Sequence, residues 1–333
     1  MGRLADHQAM SPNLILELEG DGLPIRLDLL LRHEVPELSR TEVQRLIRSG
    51  AATVNSRTVN SPSSKVHSGD TVEFSAPGPV SPDAPPAPQN LDFHIAYEDA
   101  HVLVVDKPAG MAVHAGAGRR DSTLVNGLLA RYPELANLEP VERPGIVHRL
   151  DADTSGLMVV ARTLAAASAL SAAIRAREVD RRYTAMVVGR FPTMPGVIDR
   201  PIGRHPTIRT RQAIVSGGRP ARTRFAYRSG YFAFGKPLSM ISLKLETGRM
   251  HQIRVHMQAI GYPILGDPVY GIVIPEIPLR RQFLHANHLA FRHPVTGEGL
   301  ALSSPLPPDL SRALASIGSP SIAVLSAVGD SGC

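Results

Sequence analysis

The chain has 333 residues, 43% of them hydrophobic, with a formal net charge of +6 at pH 7 and a pI near 9.8, enough length for two domains and a substantial core. No run approaches the roughly 20 apolar residues of a membrane span, and the first residues lack a secretory pattern, so a cytoplasmic protein with no membrane partner is expected. A single cysteine, Cys333, excludes an intrachain disulfide and a cysteine zinc site.

Residues 1–20 carry no clear period and are expected as a loose arm. A compact domain is expected over residues 21–75. Pro24 suits the first turn of a helix, with Leu27, Leu30 and Leu31 as its apolar face. In a second helix Ser39 and Glu42 form a capping-box pair, Val43, Leu46 and Ile47 recur at helical spacing, and Gly50 ends it. Gln44, Arg45 and Arg48 fall on the opposite side of that helix. A hairpin over Ala52 to Val59, turning at Asn55-Ser56, and a strand at Thr71 to Phe74 complete the domain. Residues 76–90, APGPVSPDAPPAPQN, are proline-rich and aperiodic, as in an extended, semi-rigid linker.

A larger domain is expected over residues 91–316. Ala96 to Asp106 reads as strand, turn and strand, Leu164 to Arg177 as an alanine-rich helix, and Tyr183 to Val188 and Ser239 to Leu245 as strands. Arg249 to Gly261 reads as a helix. Strands outnumber helices and do not alternate regularly with them. The fold class is therefore α+β, with a mainly antiparallel mixed sheet, preceded by a small α/β domain. Residues 317–333 are small and polar, as in a fraying tail.

The most specific stretch is Gly145-Ile146-Val147-His148-Arg149-Leu150-Asp151-Ala152-Asp153-Thr154-Ser155-Gly156-Leu157. It sets a carboxylate, Asp151, after a short apolar run and beside the cation Arg149, with a second apolar run from Leu157 to Ala161. A carboxylate held at the mouth between two buried strands can act as nucleophile or base. Asp153 is the rival, a turn acid being its ordinary role. A buried carboxylate stays ionised only beside a cation. On the helix at 249–261, Ile253, Met257 and Ile260 share the apolar face, and His251, Arg254 and Gln258 an adjacent polar one.

Only four of the 36 basic residues are lysine (Lys65, Lys107, Lys236, Lys244). Arginine's planar fork suits phosphate oxygens and stacks on bases, which fits an RNA partner; a GC-rich genome gives the same bias. Eight arginines between Arg200 and Arg228 (200, 204, 209, 211, 219, 222, 224, 228), with no acidic residue among them, suggest an RNA-facing hairpin. An inconsequential basic loop is the plainer reading. The loop Ala115 to Gly118 lacks the Lys-Ser/Thr of a phosphate loop. The pairs His251/His256 and His285/His288 lack the zinc-protease spacing. Neither a metal nor a cofactor is expected.

These motifs resemble those of pseudouridine synthases of the RluA/RluD type, which modify ribosomal RNA. The likeness rests on the 145–157 run and on Tyr97 to Gly110, Val113-His114-Ala115-Gly116-Ala117-Gly118, Arg182-Tyr183, Leu245 to His256, Gly266 to Gly271, and Leu284-His285-Ala286. About Leu23 to Phe74 resembles the S4-like RNA-binding domain first described in a ribosomal protein. Together they span roughly residues 20–310 in the family's order. The resemblance implies a pseudouridine synthase fold with Asp151 as the catalytic residue and Arg254 as its charge partner. Tyr183 would pack on the extruded base and Arg149 fill the gap that base leaves. His148 would contact RNA, and Leu150 and Ile253 would line the pocket. Arg40, Gln44, Arg45, Arg48 and Lys65 sit where the S4-like family touches RNA, and Arg204, Arg209 and Arg211 on the basic hairpin would add to that grip.

Ile202-Gly203-Arg204-His205-Pro206-Thr207 is close to the branch acting on large-subunit RNA. The implied partner is 23S rRNA or its large-subunit precursor, bound by a monomer. Turning uridine into pseudouridine involves no net redox change or hydrolysis, so the resemblance implies no cofactor. A non-catalytic rRNA-binding assembly factor on the same fold is the alternative, and an enzyme of small nucleotides a third. Ala152 in place of a usual lysine, Met158 in place of leucine, and a short Ile272 to Arg281 segment depart from the family pattern.

Overall fold

The computed structural model describes residues 13–18, 23–36, 38–75, 85–116, 121–320 and 322–323. The chain divides into two units, residues 1–84 with 116–120 and residues 85–115 with 121–333. Most of the expected arm, part of the linker (76–84) and the end of the tail lie outside the described residues.

In the first unit, β1 (Asn13–Glu17) pairs antiparallel with β6 (Thr71–Ser75). Residues 13–17, expected within a loose arm, are thus a strand. Period-two alternation explains it: Leu14 and Leu16 pack against the core while Ile15 points outward, 61% exposed. The first helix starts later than Pro24 suggests. A two-residue β2 (Ile25–Arg26) pairs with β5 (Lys65–Val66), and α1 then runs over Leu27–Glu34. In α2 (Arg40–Arg48), Ser39 Oγ accepts the Glu42 N–H at 3.3 Å, and Val43, Leu46 and Ile47 are buried. β3 (Ala52–Val54) and β4 (Arg57–Thr58) form the expected hairpin. Asn55 (φ 51°) and Ser56 (φ 62°) both adopt the left-handed conformation that a two-residue turn between twisted strands requires. The sheet order is β1-β6-β3-β4, and its core joins Leu27, Leu31 and Ile47 to Val72 and Phe74.

The second unit is built on a ten-stranded sheet. Its elements in chain order are β7 (His94–Glu98), β8 (Val102–Lys107), α3 (Leu124–Arg131), β9 (Ser155–Ala161), α4 (Leu164–Ala176), β10 (Asp180–Val188) and β11 (Gly196–Asp199). There follow β12 (Ile202–Arg204), β13 (Gln212–Ile214), β14 (Arg222–Ala233), β15 (Lys236–Leu245) and α5 (Gln252–Ala259). The last are β16 (Leu284–Arg292), β17 (Gly299–Ser303), α6 (Pro308–Ile317) and β18 (Ile322–Ala323). The order is β11-β14-β15-β10-β16-β9-β8-β7, with β17 on β16 and β18 on β14. Every pairing in it is antiparallel except β9 with β16, as the mixed, mainly antiparallel expectation requires.

The apolar runs of β8 and β9 are continuous because both sheet faces are covered. Leu103, Val105, Met158 and Val160 bury against α3, while Val102, Val104, Leu157 and Val159 bury with Ala166 and Leu170 of α4. The parallel β9–β16 contact is close: a Cβ on Gly156 (φ 117°) would lie 2.2 Å from the Ala286 carbonyl oxygen. Only glycine fits there.

Three expectations change. The residues before Asp151 are not a strand; Ile146 makes a single bridge to Val160, and Asp151 sits on a loop ahead of β9. The linker's last residues are fastened to the start of α3, where Asn126 donates to the Ala87 carbonyl and Gln89 N–H donates to that of Asn126. Within the expected tail, Ile322–Ala323 pairs with Ser229–Gly230 and is a strand.

Candidate active site

Asp151 is positioned by a loop whose backbone is held at successive points. The Ala152 carbonyl accepts from Gly110 N–H and from Nζ of the buried Lys107, which also donates to the Pro108 and Met111 carbonyls. Arg281 donates to the Asp153 carbonyl and the Ser155 hydroxyl, and Gln282 donates to Thr154 Oγ1. Upstream, His148 Nε2 accepts the Val159 N–H at 3.0 Å. Five such bonds from the distant segments around Lys107 and Arg281 make this loop a rigid platform. Asp153, the rival acid, is exposed and does not line the cavity that Asp151 lines.

Arg254 reaches Asp151 across 103 residues of chain, Nη1 to Oδ2 at 3.2 Å. Its Nε and Nη2 form a two-pronged pair with the buried Asp267, at 2.7 and 2.8 Å. Asp267 Oδ1 also accepts the N–H groups of Val269 and Tyr270. Burial pushes Asp267 upward, but the bonds and charge of Arg254 outweigh it and hold its pKa below the ordinary carboxylate value. Burial alone would weaken Arg254; Asp267 and Asp151 more than offset that and raise its pKa. One guanidinium thus faces two carboxylates, and Asp267 takes the better geometry. Asp151 keeps one hydrogen bond, and its Oδ1 has no hydrogen-bond partner among the described residues.

Tyr270 supports the cation from a third side. Its ring centroid lies 5.0 Å from Arg254 Cζ. Its hydroxyl accepts Gln212 N–H at 2.7 Å and meets His251 Nδ1 at 2.9 Å. Burial lowers the His251 pKa, with Asp151 opposing. Tyr183 stands on β10 where the pairing with β16 shifts register between Arg182 and Thr184, a place where a sheet re-aims a side chain. It is 4% exposed, and burial, aided by Asp151 and opposed by Arg181, pushes its pKa up to about 12. The hydroxyl therefore stays protonated, and the ring acts as an apolar wall.

Asp151, Arg254, Tyr183, Leu150, Ile253, Arg149 and His148 all line one cavity of about 410 Å³, so the structure brings these expected residues together. That volume suits a small ligand such as one extruded nucleotide. Asp151 is its only acidic lining residue, against six arginines. Sequence reasoning gave no role to Asp267, Tyr270, Arg181 or His114. The Gly266 to Gly271 motif contains the first two, but nothing local reveals that they grip Arg254.

The other expected RNA contacts lie elsewhere. Arg45, Arg48 and Lys65 are exposed on the first unit. Arg40 and Gln44 were expected to face RNA, but both bind the fully buried Asp28, together with Arg26. Burial raises the Asp28 pKa, and hydrogen bonds from Arg26, Gln44 and Arg40 reverse this and bring it well below the usual range. A buried charge draws donors to itself, so these two side chains have a structural task.

Arg204 is on β12, and Arg209 and Arg211 lie between it and β13, a hairpin with register Arg204 to Gln212. Arg204 and Arg209 are exposed, and Arg211 Cζ is 5.9 Å from the Tyr270 ring centroid. Not all eight arginines of this stretch are free for RNA: Arg222 and Arg224 pair with Glu246. Among the described residues no group of three His, Cys, Asp or Glu is placed to hold a metal ion, and no helix is long and apolar enough to cross a membrane.

Residues 101–259 match the RNA pseudouridylate synthase family, and residues 25–72 match the S4 domain. The chain is 43% identical over 304 residues, 88% of each chain, to "Ribosomal large subunit pseudouridine synthase D" of Xanthomonas campestris. It is also 43% identical to the protein of that name from Pseudomonas aeruginosa, covering 85% of this chain and 89% of that one. The solved structure of human RNA pseudouridylate synthase domain containing 1 superposes with a TM-score of 0.56 at 30% identity, over 72% of this chain and 93% of that one. The chain belongs to the RNA pseudouridylate synthase family and is an RNA pseudouridine synthase with an S4 domain ahead of its catalytic unit.

Proposed function

We propose that this enzyme isomerises uridines of large-subunit ribosomal RNA, acting as a monomer in the cytoplasm, with Asp151 as the reacting carboxylate. The reaction breaks the bond from C1′ to N1 of uracil and makes one from C1′ to C5. N1 gains a proton and C5 loses one, so atoms and electrons balance without a co-reactant. A carboxylate serves this exchange by adding to the ring or the sugar carbon, or by removing a proton. Each route needs an ionised oxygen facing the nucleotide. Asp151 supplies it: Oδ2 is held by Arg254 and Oδ1 has no hydrogen-bond partner among the described residues, and that arrangement carries the proposal.

Tyr183, Leu150 and Ile253 offer the extruded base its apolar walls, and Arg149, exposed beside the cavity, is placed to stack in the vacated gap. Arg45, Arg48, Lys65, Arg204 and Arg209 give RNA a sequence-independent electrostatic grip. The relatives named for the large ribosomal subunit support the choice of substrate. Incubating the protein with deproteinised 23S rRNA, 16S rRNA and tRNA, then mapping pseudouridine, tests it. New pseudouridine in 23S rRNA alone is expected; modification confined to tRNA or 16S rRNA overturns the assignment.

A further inference from the structure

Eight buried side-chain nitrogen or oxygen atoms have no hydrogen-bond partner among the described residues, and three of them, Arg181 Nε, His148 Nδ1 and His114 Nδ1, belong to residues lining the active-site cavity. Buried polar atoms are nearly always partnered. A cluster of exceptions around one cavity calls for a partner brought by the ligand.

All three are donors. His148 Nε2 accepts the Val159 N–H, so the ring proton is on Nδ1. His114 Nε2 faces Arg149 Nη1 at 3.3 Å; a guanidinium only donates, so His114 also carries its proton on Nδ1. Burial holds the His148 pKa down at about 3, with Arg181 adding to the effect, and both rings stay neutral near pH 7 because burial, Arg149 and Arg143 hold His114 at about 4.

Arg181 is the strongest of the three cases. It is 4% exposed and makes no ion pair with a carboxylate among the described residues. Its hydrogen bond to protein is a long one, Nη2 to the Leu245 carbonyl at 3.5 Å. A Cβ on Gly248 would lie 3.3 Å from Nη1, so glycine leaves the guanidinium its room. A buried cation without a counter-ion is an unfavourable feature of the free protein. A neutral uracil carbonyl would satisfy the N–H groups but leave the charge uncompensated; a phosphate does both.

We propose that Arg181 and His148 form a phosphate subsite, in which Arg181 Nε–H and His148 Nδ1–H hold a phosphodiester oxygen of the extruded uridylate. The proposal rests on the reading of this cavity as a uridine pocket. His114, beside Arg149 and Arg143, lies outside it.

The test uses the full chain and a short synthetic RNA that it modifies, with a neutral methylphosphonate at either phosphate flanking the target uridine. Arg181→Met is expected to raise KM about tenfold to a hundredfold, the loss of a hydrogen bond to a charged group, with a smaller change in kcat. Its melting temperature is expected to match or exceed that of the wild type, since a buried, unpaired charge is removed. One methylphosphonate is expected to raise the wild-type KM by the same factor and to leave Arg181→Met unaffected. Arg181→Lys, which keeps charge without the Nε–H, is expected to fall between the two.

Three results overturn the subsite: effects of variant and neutral linkage that multiply, wild-type indifference to both linkages, or a destabilised Arg181→Met with unchanged KM. Indifference to both linkages with a raised KM in Arg181→Met would move the contact to the uracil carbonyls. If the wild type forms no pseudouridine in any RNA, the uridine-pocket reading falls and the subsite with it.

Discussion

Replacing Asp267 by asparagine removes the charge that orients Arg254 while keeping the side chain's size. Asp267 is fully buried and Arg254 is 6% exposed at the side chain, so solvent screens their pair little. Asparagine with its oxygen at the Oδ1 position keeps the N–H groups of Val269 and Tyr270 and the Nη2 prong of Arg254. Its amide nitrogen would face the other prong, donor against donor. One charge-assisted hydrogen bond is lost and a donor is left unpaired, a destabilisation of about 3 kcal/mol. Arg254, freed of its anchor, no longer meets Asp151 at a fixed geometry. Misplacement of this order costs about tenfold to a hundredfold in rate. Asp267 does not itself line the cavity and acts through Arg254, so kcat should drop with KM nearly unchanged. Thermal unfolding and tritium release from 5-tritiated uridine in RNA measure the two effects. An Asp267→Asn protein as stable and as fast as the wild type would refute the anchoring argument.

Other outcomes follow from single contacts. Gly156→Ala drives a Cβ to within 2.2 Å of the Ala286 carbonyl at a strained φ, so the catalytic unit should lose at least about 3 kcal/mol and yield little soluble protein. Arg209→Ala should weaken RNA binding and reduce the magnitude of the slope of log K against log salt by about one, whereas Arg224→Ala, whose partner is Glu246, should leave that slope alone. Asp28 titrates below its unfolded value, so the stability it contributes is present above about pH 4 and drains as pH falls through its lower folded pKa. Arg40→Ala lifts that folded pKa, and acid unfolding of the first unit, followed by circular dichroism, should move to higher pH. Arg48→Ala, exposed and remote from that pair, should weaken RNA binding without moving it.

Local pattern and tertiary partnership separate cleanly in this chain. The second helix was legible because Ser39 caps it and Val43, Leu46 and Ile47 share a face, features written within a dozen residues. The strand behind Asp151 was legible as an apolar run because both its faces are covered. Helix α3 was not: Leu124 to Leu129 are buried all round, which erases the period, and Gly127 looks like a breaker. That glycine is needed since a Cβ there would approach the Phe93 ring to 2.6 Å. The wheel that placed Gln44 outward was blind to Asp28, sixteen residues away. For the site, motif likeness singled out Asp151, Tyr183 and Arg254, which line one cavity. Nothing in spacing could say that Asp267 holds Arg254 more tightly than Asp151 does.

The most direct test of Asp151 compares the wild type and Asp151→Asn under single-turnover conditions, on RNA carrying the mapped target uridine. Asparagine keeps the shape of the side chain and an acceptor for Arg254 but cannot act as an ionised carboxylate. No pseudouridine should form with the variant, while RNA affinity stays close to that of the wild type. Conversion at the wild-type rate would contradict the assignment of this carboxylate to the reaction.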